Sequence, residues 1–191
     1  LNERKAITNV DYINRATKGV YEFGSVFKTF TVAAAFNENL IEPNTEYLNL
    51  KKQIKCNGFS IREFSEKIPT NLTVEEILIR SGNIGSVRIG QKIGEEKFKS
   101  FLKKIGIQGV IDFDIQEVGK PTPINWGKCK LATVSYGHGI TTTLLQLAKG
   151  YSIVTNGGYD INPTLIQKKL IEKYSQKRIL NIGVSDKINK I

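Results

Sequence analysis

The sequence predicts an α+β domain in which helices predominate. Three observations lead there. Residues 25–37 are apolar on nearly every face, the mark of a helix buried in the middle of a domain. Two Thr-x-x-Glu/Gln capping boxes, at Thr73 and Thr143, each precede an apolar-periodic run. The extended stretches are short and punctuated by Gly and Pro. At 191 residues the chain is long enough for one domain with a real core.

Taken in order, residues 1–24 are polar and irregular and end at Tyr21-Glu22-Phe23-Gly24. The helix of residues 25–37 carries Val26, Phe27, Phe30, Val32, Ala33, Ala34, Ala35 and Phe36, and the Asn39–Thr45 stretch with Pro43 ends it. Residues 46–70 read as loops with short extended pieces at Gln53–Lys55 and Phe59–Arg62, turning at Gly58. Thr73 starts a short helix through Ile79. Ser81 to Asn83 interrupts it, and a further helix runs from Ile84 to Ile93. In the next helix, 95–105, Phe98, Phe101, Leu102 and Ile105 follow the i, i+3, i+4, i+7 pattern. Residues 106–127 read as a long loop anchored by Trp126. Thr143 opens an amphipathic helix to Thr155, which Asn156-Gly157-Gly158 stops. Thr164–Ile171 and Lys177–Ile182 read as a hairpin, and Ser185 as the cap of a last helix cut short by the chain end.

Bulk composition excludes several classes. No apolar run approaches the ~20 residues needed to span a bilayer. The net charge of +10 would suit a polyanion, but the lysines are spread along the chain without interleaved aromatics, which favours a solvated surface over nucleic-acid binding. Methionine is absent even at position 1, so the chain is expected to be an internal piece or a processed product. Cys56 and Cys129 form no CxxC pair; they could pair in an oxidising compartment, but two cysteines make no disulfide framework, and free, partly buried thiols are expected. The spacing of Asp112, Asp114 and Glu117 fits a loop better than a metal site. The lone His138, in Gly137-His138-Gly139, reads as a loop residue.

Ser25-Val26-Phe27-Lys28 is the motif that carries chemistry. Ser-x-x-Lys on a helix puts a hydroxyl and an amine one turn apart on the same face. A lysine in an apolar helix costs several kcal/mol unless paired or neutralised, and burial lowers its pKa toward that of a general base (several kcal/mol being the order expected for an unpaired buried polar group). A neutral lysine there takes the serine proton and activates the nucleophile. Gly24 lets backbone approach, and helix N-terminal amides can help hold an oxyanion. Ser100-Phe101-Leu102-Lys103 has the same spacing but lies on the polar side of its helix. Ser81-Gly82-Asn83 offers a second hydroxyl for proton relay and an amide to hold substrate, although a simple helix break would look the same.

Asn14-Arg15-Ala16, with Tyr21-Glu22-Phe23-Gly24-Ser25-Val26-Phe27-Lys28, resembles the first conserved block of class B penicillin-binding proteins. Arg80-Ser81-Gly82-Asn83-Ile84-Gly85 resembles their Ser-Ser-Asn-Val-Gly block, and residues 132–140, with Leu145-Gln146-Leu147-Ala148 and Asn156-Gly157-Gly158, resemble a third block in the same order. The resemblance covers most of residues 1–160, and Glu22 leans toward the division-type, FtsI-like transpeptidases. It implies the penicillin-binding transpeptidase and serine β-lactamase-like fold, here mostly its helical lobe with a partial β-hairpin. It implies one partial domain over residues 1–191, with a helical core at 25–156 and a hairpin and truncated helix at 157–191. Ser25 would be the nucleophile, Lys28 its base, Ser81 a proton relay and Asn83 a binder of the peptide amide. The implied reaction is acylation by a D-Ala-D-Ala stem peptide and transfer to an amine, with β-lactams acylating the same serine. No cofactor and no metal are implied. The implied partners are peptidoglycan stem peptides, β-lactams and the division machinery. The implied location is periplasmic, or the extracytoplasmic face of the inner membrane, with any anchor outside these residues.

Two departures bear on this. Phe23 stands where the family usually has Pro. The family's Lys-Thr/Ser-Gly motif does not occur in the 191 residues, so the chain alone is expected to be inactive and its exposed edge to favour self-association. Two other readings stay open: a β-lactam sensor or β-lactamase, against which the Tyr-Glu-x-Gly-Ser context argues, and a basic helical interaction module without catalysis.

Overall fold

The computed structural model describes residues 13–167 and 177–191. Its centre is α1 (Lys28–Asn37), entered through a 3-10 turn at Gly24–Phe27. Nearly every residue of α1 is buried, because the sequence places Phe, Val and Ala on all its faces. Around it pack α2 (Val74–Ile79), α3 (Asn83–Ile93), α4 (Glu95–Lys104), α6 (Leu144–Thr155) and α7 (Val184–Lys190). Helix α5 (Lys130–Ser135) packs on α3. The contact is close because residue 90 is glycine: a Cβ there would lie 1.8 Å from Ser135 Oγ. The Thr31 hydroxyl also donates to the Ser135 carbonyl at 2.8 Å, joining α1 to the end of α5.

The strands are short and antiparallel. The pairs are β1 (Val20–Tyr21) with β6 (Thr142–Thr143), β2 (Glu46–Tyr47) with β5 (Leu72–Thr73), and β3 (Gln53–Cys56) with β4 (Phe59–Arg62). The first pair sets Val20 opposite Thr143, so the segment before α1 is held at the start of α6. Both capping boxes form: Thr73 with Glu76, and Thr143 with Gln146. The β3–β4 hairpin turns at Asn57-Gly58, both with positive φ, as the extended pieces around Gly58 predict.

Three sequence expectations change. Cys56 and Cys129 are not free: they form a disulfide with Cα atoms 5.8 Å apart, closing a span of 73 residues between β3 and the residue before α5. Only tertiary packing brings them together, which is why spacing did not reveal the pair. Ser185 does not cap the last helix. Gly183 (φ 87°) precedes that helix, and the Ser185 hydroxyl lies within it, accepting from Gly157 N–H at 2.9 Å. Part of the expected hairpin, residues 168–176, lies outside the described residues. Of its flanks, residues 164–167 are irregular and Arg178 forms a single antiparallel bridge with Tyr159. Asn181 then ties this segment to the end of α1, its side chain donating to the Asn37 carbonyl at 2.6 Å.

Candidate active site

Phe27, fully buried, and Tyr151, whose hydroxyl donates to the Val26 carbonyl at 2.6 Å, fix the 3-10 turn that carries Ser25. Ser25 is exposed, whereas Lys28, one turn on, is only 1% exposed. Its Nζ lies 3.1 Å from Ser25 Oγ, 2.8 Å from Ser81 Oγ and 2.6 Å from the Ser81 carbonyl oxygen. Burial lowers the Lys28 amine to about 8, and the Glu63 carboxylate pulls the other way. The result is a hydroxyl open to solvent beside a buried amine that gives up its proton far more readily than an ordinary lysine.

Ser81 reaches Lys28 from the turn between α2 and α3. That turn is tight: Ser81 has φ 54°, its N–H donates to Leu78 and the Gly82 N–H to Ile77. Asn83 begins α3, one residue earlier than the sequence suggests. Its backbone N–H donates to one Glu63 oxygen at 2.7 Å, and the Ile84 N–H to the other at 2.9 Å. Its side-chain Nδ2 donates to the Arg62 carbonyl at 2.8 Å. Lys28 therefore bridges Ser25 and Ser81, and Asn83 stands two residues beyond Ser81 with its amide turned to β4.

The 132–140 block completes the neighbourhood. Gly137 packs on the backbone of Gly24, and Glu22 accepts from the Gly139 N–H at 3.0 Å. A cavity of about 550 Å³ opens here, lined by residues that include Glu22, Phe59, Lys130, Tyr136 and His138. His138 is exposed, with its ring 4.7 Å from that of Tyr136, in keeping with its reading as a loop residue. Glu63 was missed by sequence reasoning, because its partners lie 20 and 21 residues further on. Asp114 and Glu117 serve as hydrogen-bond acceptors for Thr164 and Asn14.

A family model for the penicillin-binding protein transpeptidase domain matches residues 2–190. The chain belongs to this transpeptidase family. Among relatives of known sequence, it is 28% identical over 169 residues to a probable peptidoglycan D,D-transpeptidase FtsI of Caulobacter vibrioides, covering 87% of this chain and 28% of that protein. It is 27% identical to a probable peptidoglycan D,D-transpeptidase PenA of Neisseria flavescens (93% and 44% covered). It is 29% identical to stage V sporulation protein D of Bacillus subtilis (83% and 25% covered). The chain thus spans roughly a quarter to under a half of the length of these relatives. Among solved structures, the transpeptidase domain of Burkholderia pseudomallei penicillin-binding protein 3 superposes with TM-score 0.84 at 24% identity, covering 93% of this chain and 54% of that one. A peptidoglycan glycosyltransferase from Burkholderia ambifaria superposes with TM-score 0.86 at 23% identity, covering 94% and 57%. These likenesses establish the penicillin-binding transpeptidase fold, with helices and small antiparallel sheets. No helix among the described residues is long and apolar enough to cross a membrane.

Proposed function

We propose that this chain carries the acylating centre of a peptidoglycan D,D-transpeptidase of the division type. The observation that supports it most is the buried Lys28 amine, with a pKa of about 8, set between the Ser25 and Ser81 hydroxyls at 3.1 and 2.8 Å. In this reading Lys28 takes the Ser25 proton as Oγ attacks the penultimate D-Ala carbonyl of a stem peptide. The Ser25 N–H, at the start of the 3-10 turn, is one donor for the oxyanion. The peptide C–N bond breaks, and Ser81 relays the proton to the departing D-Ala amine. An acceptor amine then attacks the acyl-serine, forming the cross-link and returning the proton. Asn83 holds the peptide amide. A β-lactam acylates Ser25 by the same first step, and its ring nitrogen stays attached.

The reading extends to setting. The disulfide suits an oxidising, extracytoplasmic compartment. Stem peptides, β-lactams and the division machinery are the proposed partners. We read the 191 residues as belonging to one transpeptidase domain. They hold no Lys-Thr-Gly or Lys-Ser-Gly, and we propose that the chain alone is nearly inert and prone to self-association. A missing oxyanion donor costs ~10²–10³ in rate.

The test is labelling with a fluorescent penicillin, comparing this chain, the full-length protein and the Ser25→Ala variant of each. The expected result is rapid stoichiometric labelling of the full-length protein, lost in Ser25→Ala, with little labelling of the chain alone. Full-length labelling that survives Ser25→Ala would overturn the nucleophile. Rapid Ser25-dependent labelling of the chain alone would overturn its inertness.

A further inference from the structure

We propose that Glu63 is a positioning residue of this site, acting through the Ser81–Asn83 turn: its carboxylate holds the first two N–H groups of α3 and so sets Ser81 against Lys28. The inference rests on the transpeptidase reading for its consequence, but its geometry stands apart from that reading.

Helix α3 has no side-chain cap of its own, because Gly82 occupies the capping position. Its first N–H groups would otherwise lack partners. Glu63 supplies both from a distance, one oxygen to Asn83 and the other to Ile84. A carboxylate is the acceptor best suited to a helix N-terminus, because its charge opposes the positive end of the helix dipole. Glu63 is itself held in place: it follows β4 directly and its N–H donates to the Lys52 carbonyl at 3.0 Å. Arg62, the residue before it, accepts from the Asn83 side chain. The end of β4 therefore grips the start of α3 at three points, beginning two residues after Ser81, which contacts Lys28.

The same carboxylate adds a field. Of the charged groups near α1, Glu63 is the one that acts on Lys28. Several charged groups on the helices packed around α1 are engaged elsewhere. On α2, Glu76 is folded back to Thr73, and on α3 Arg88 bonds to Gln91. Lys97 of α4 pairs with Glu38, Lys149 of α6 with Asp160, and Lys187 of α7 with Glu42. Glu63 thus couples two properties usually separable: where Ser81 stands and how readily Lys28 gives up its proton.

The experiment uses the full-length protein with Glu63→Gln and Glu63→Asp. Three quantities are read: the penicillin acylation rate against pH, the Lys28 amine titration by NMR, and amide exchange at Asn83 and Ile84. In Glu63→Gln the negative charge is gone, so Lys28 should lose its proton at lower pH. The rising limb of the acylation profile should follow it down, and the plateau should fall by about tenfold to a hundredfold, the scale of a ~1 Å misplacement. Amide exchange at Asn83 and Ile84 should rise selectively. Glu63→Asp should restore the titration midpoint and part of the plateau. Unchanged exchange and an unchanged Lys28 midpoint in a folded Glu63→Gln protein would overturn the proposal. So would a rate loss that merely tracks lower melting temperature. If exchange and the Lys28 midpoint shift while wild type fails to acylate at Ser25, the positioning role stands and the transpeptidase reading fails.

Discussion

Replacing Gly137 by Ala should disable the nucleophile from a distance. Gly137 has φ +93°, and a Cβ there would sit 1.8 Å from the carbonyl oxygen of Gly24 and 2.5 Å from its carbonyl carbon. Real Cβ atoms almost never come within 3.0 Å of another heavy atom, so the two backbones must part by about 1.2 Å. Gly24 is bonded directly to Ser25, and that shift is delivered to the attacking oxygen. A misplacement of ~1 Å costs on the order of 10²-fold in rate. Strain at a left-handed residue (~1–2 kcal/mol) and overpacking (~1–3 kcal/mol) together cost about 2–5 kcal/mol of stability. Gly139→Ala is the matched control. It also has positive φ (+69°), but its Cβ would meet only the far end of the Lys130 side chain, which can move aside. The assay is the rate of fluorescent penicillin labelling of the full-length proteins, below the melting temperature of each variant. Gly137→Ala should label about a hundredfold more slowly, and Gly139→Ala at close to the wild-type rate. Equal losses in both variants, or a wild-type rate in Gly137→Ala, would refute the reasoning.

Other outcomes follow from the same geometry. Because burial lowers Lys28 to about 8 against an ordinary 10.5, the unfolded chain binds more protons than the folded one between those values, and stability should rise with pH across that window. Urea unfolding should show this slope in wild type and a flatter one in Lys28→Met; equal slopes would mean that Lys28 titrates normally. Reducing the Cys56–Cys129 disulfide, or Cys129→Ser with Cys56→Ser, should lower stability by up to about 4 kcal/mol, from the loop entropy of a 73-residue span. Denaturant midpoints that do not respond to reductant would argue against the bond. Thr31→Val should cost about 1–3 kcal/mol in thermal unfolding, because the buried Ser135 carbonyl loses its donor.

The sequence announced what is local and strong. Helix α1 was legible because its apolar residues leave it no solvent face, and α2 and α6 because their capping boxes are written in four consecutive residues. Ser25 and Lys28 were legible for the same reason: one helical turn fixes their separation, and an apolar setting makes the lysine conspicuous. What depended on distant partners was hidden. The paired strands of two residues, such as Val20–Tyr21 with Thr142–Thr143, have no periodicity to read. Helix α5 is too short for its six residues to show a period. The Ser185 hydroxyl looked like a cap, but the left-handed Gly183 begins the helix and leaves that hydroxyl to Gly157. Glu63 carries no local signal, because only folding brings the end of β4 to the start of α3.

The three oxygens around the Lys28 amine impose an order on where hydrogens point. A protonated amine has three N–H groups and can give one to each of Ser25 Oγ, Ser81 Oγ and the Ser81 carbonyl. A neutral amine has two, plus a lone pair that must receive. The carbonyl can only accept, so it always claims one N–H. The other N–H and the lone pair are divided between two hydroxyls, and only two arrangements exist. In one, Ser25 donates to nitrogen and is ready to attack, while Ser81 accepts and its own hydrogen is free to turn outward. In the other, Ser81 donates and Ser25 accepts, so the nucleophile keeps its proton. Loss of one proton from Lys28 thus converts a symmetric cluster into a two-position selector. The fixed carbonyl of Ser81, held by its left-handed turn, is the contact that prevents a third setting.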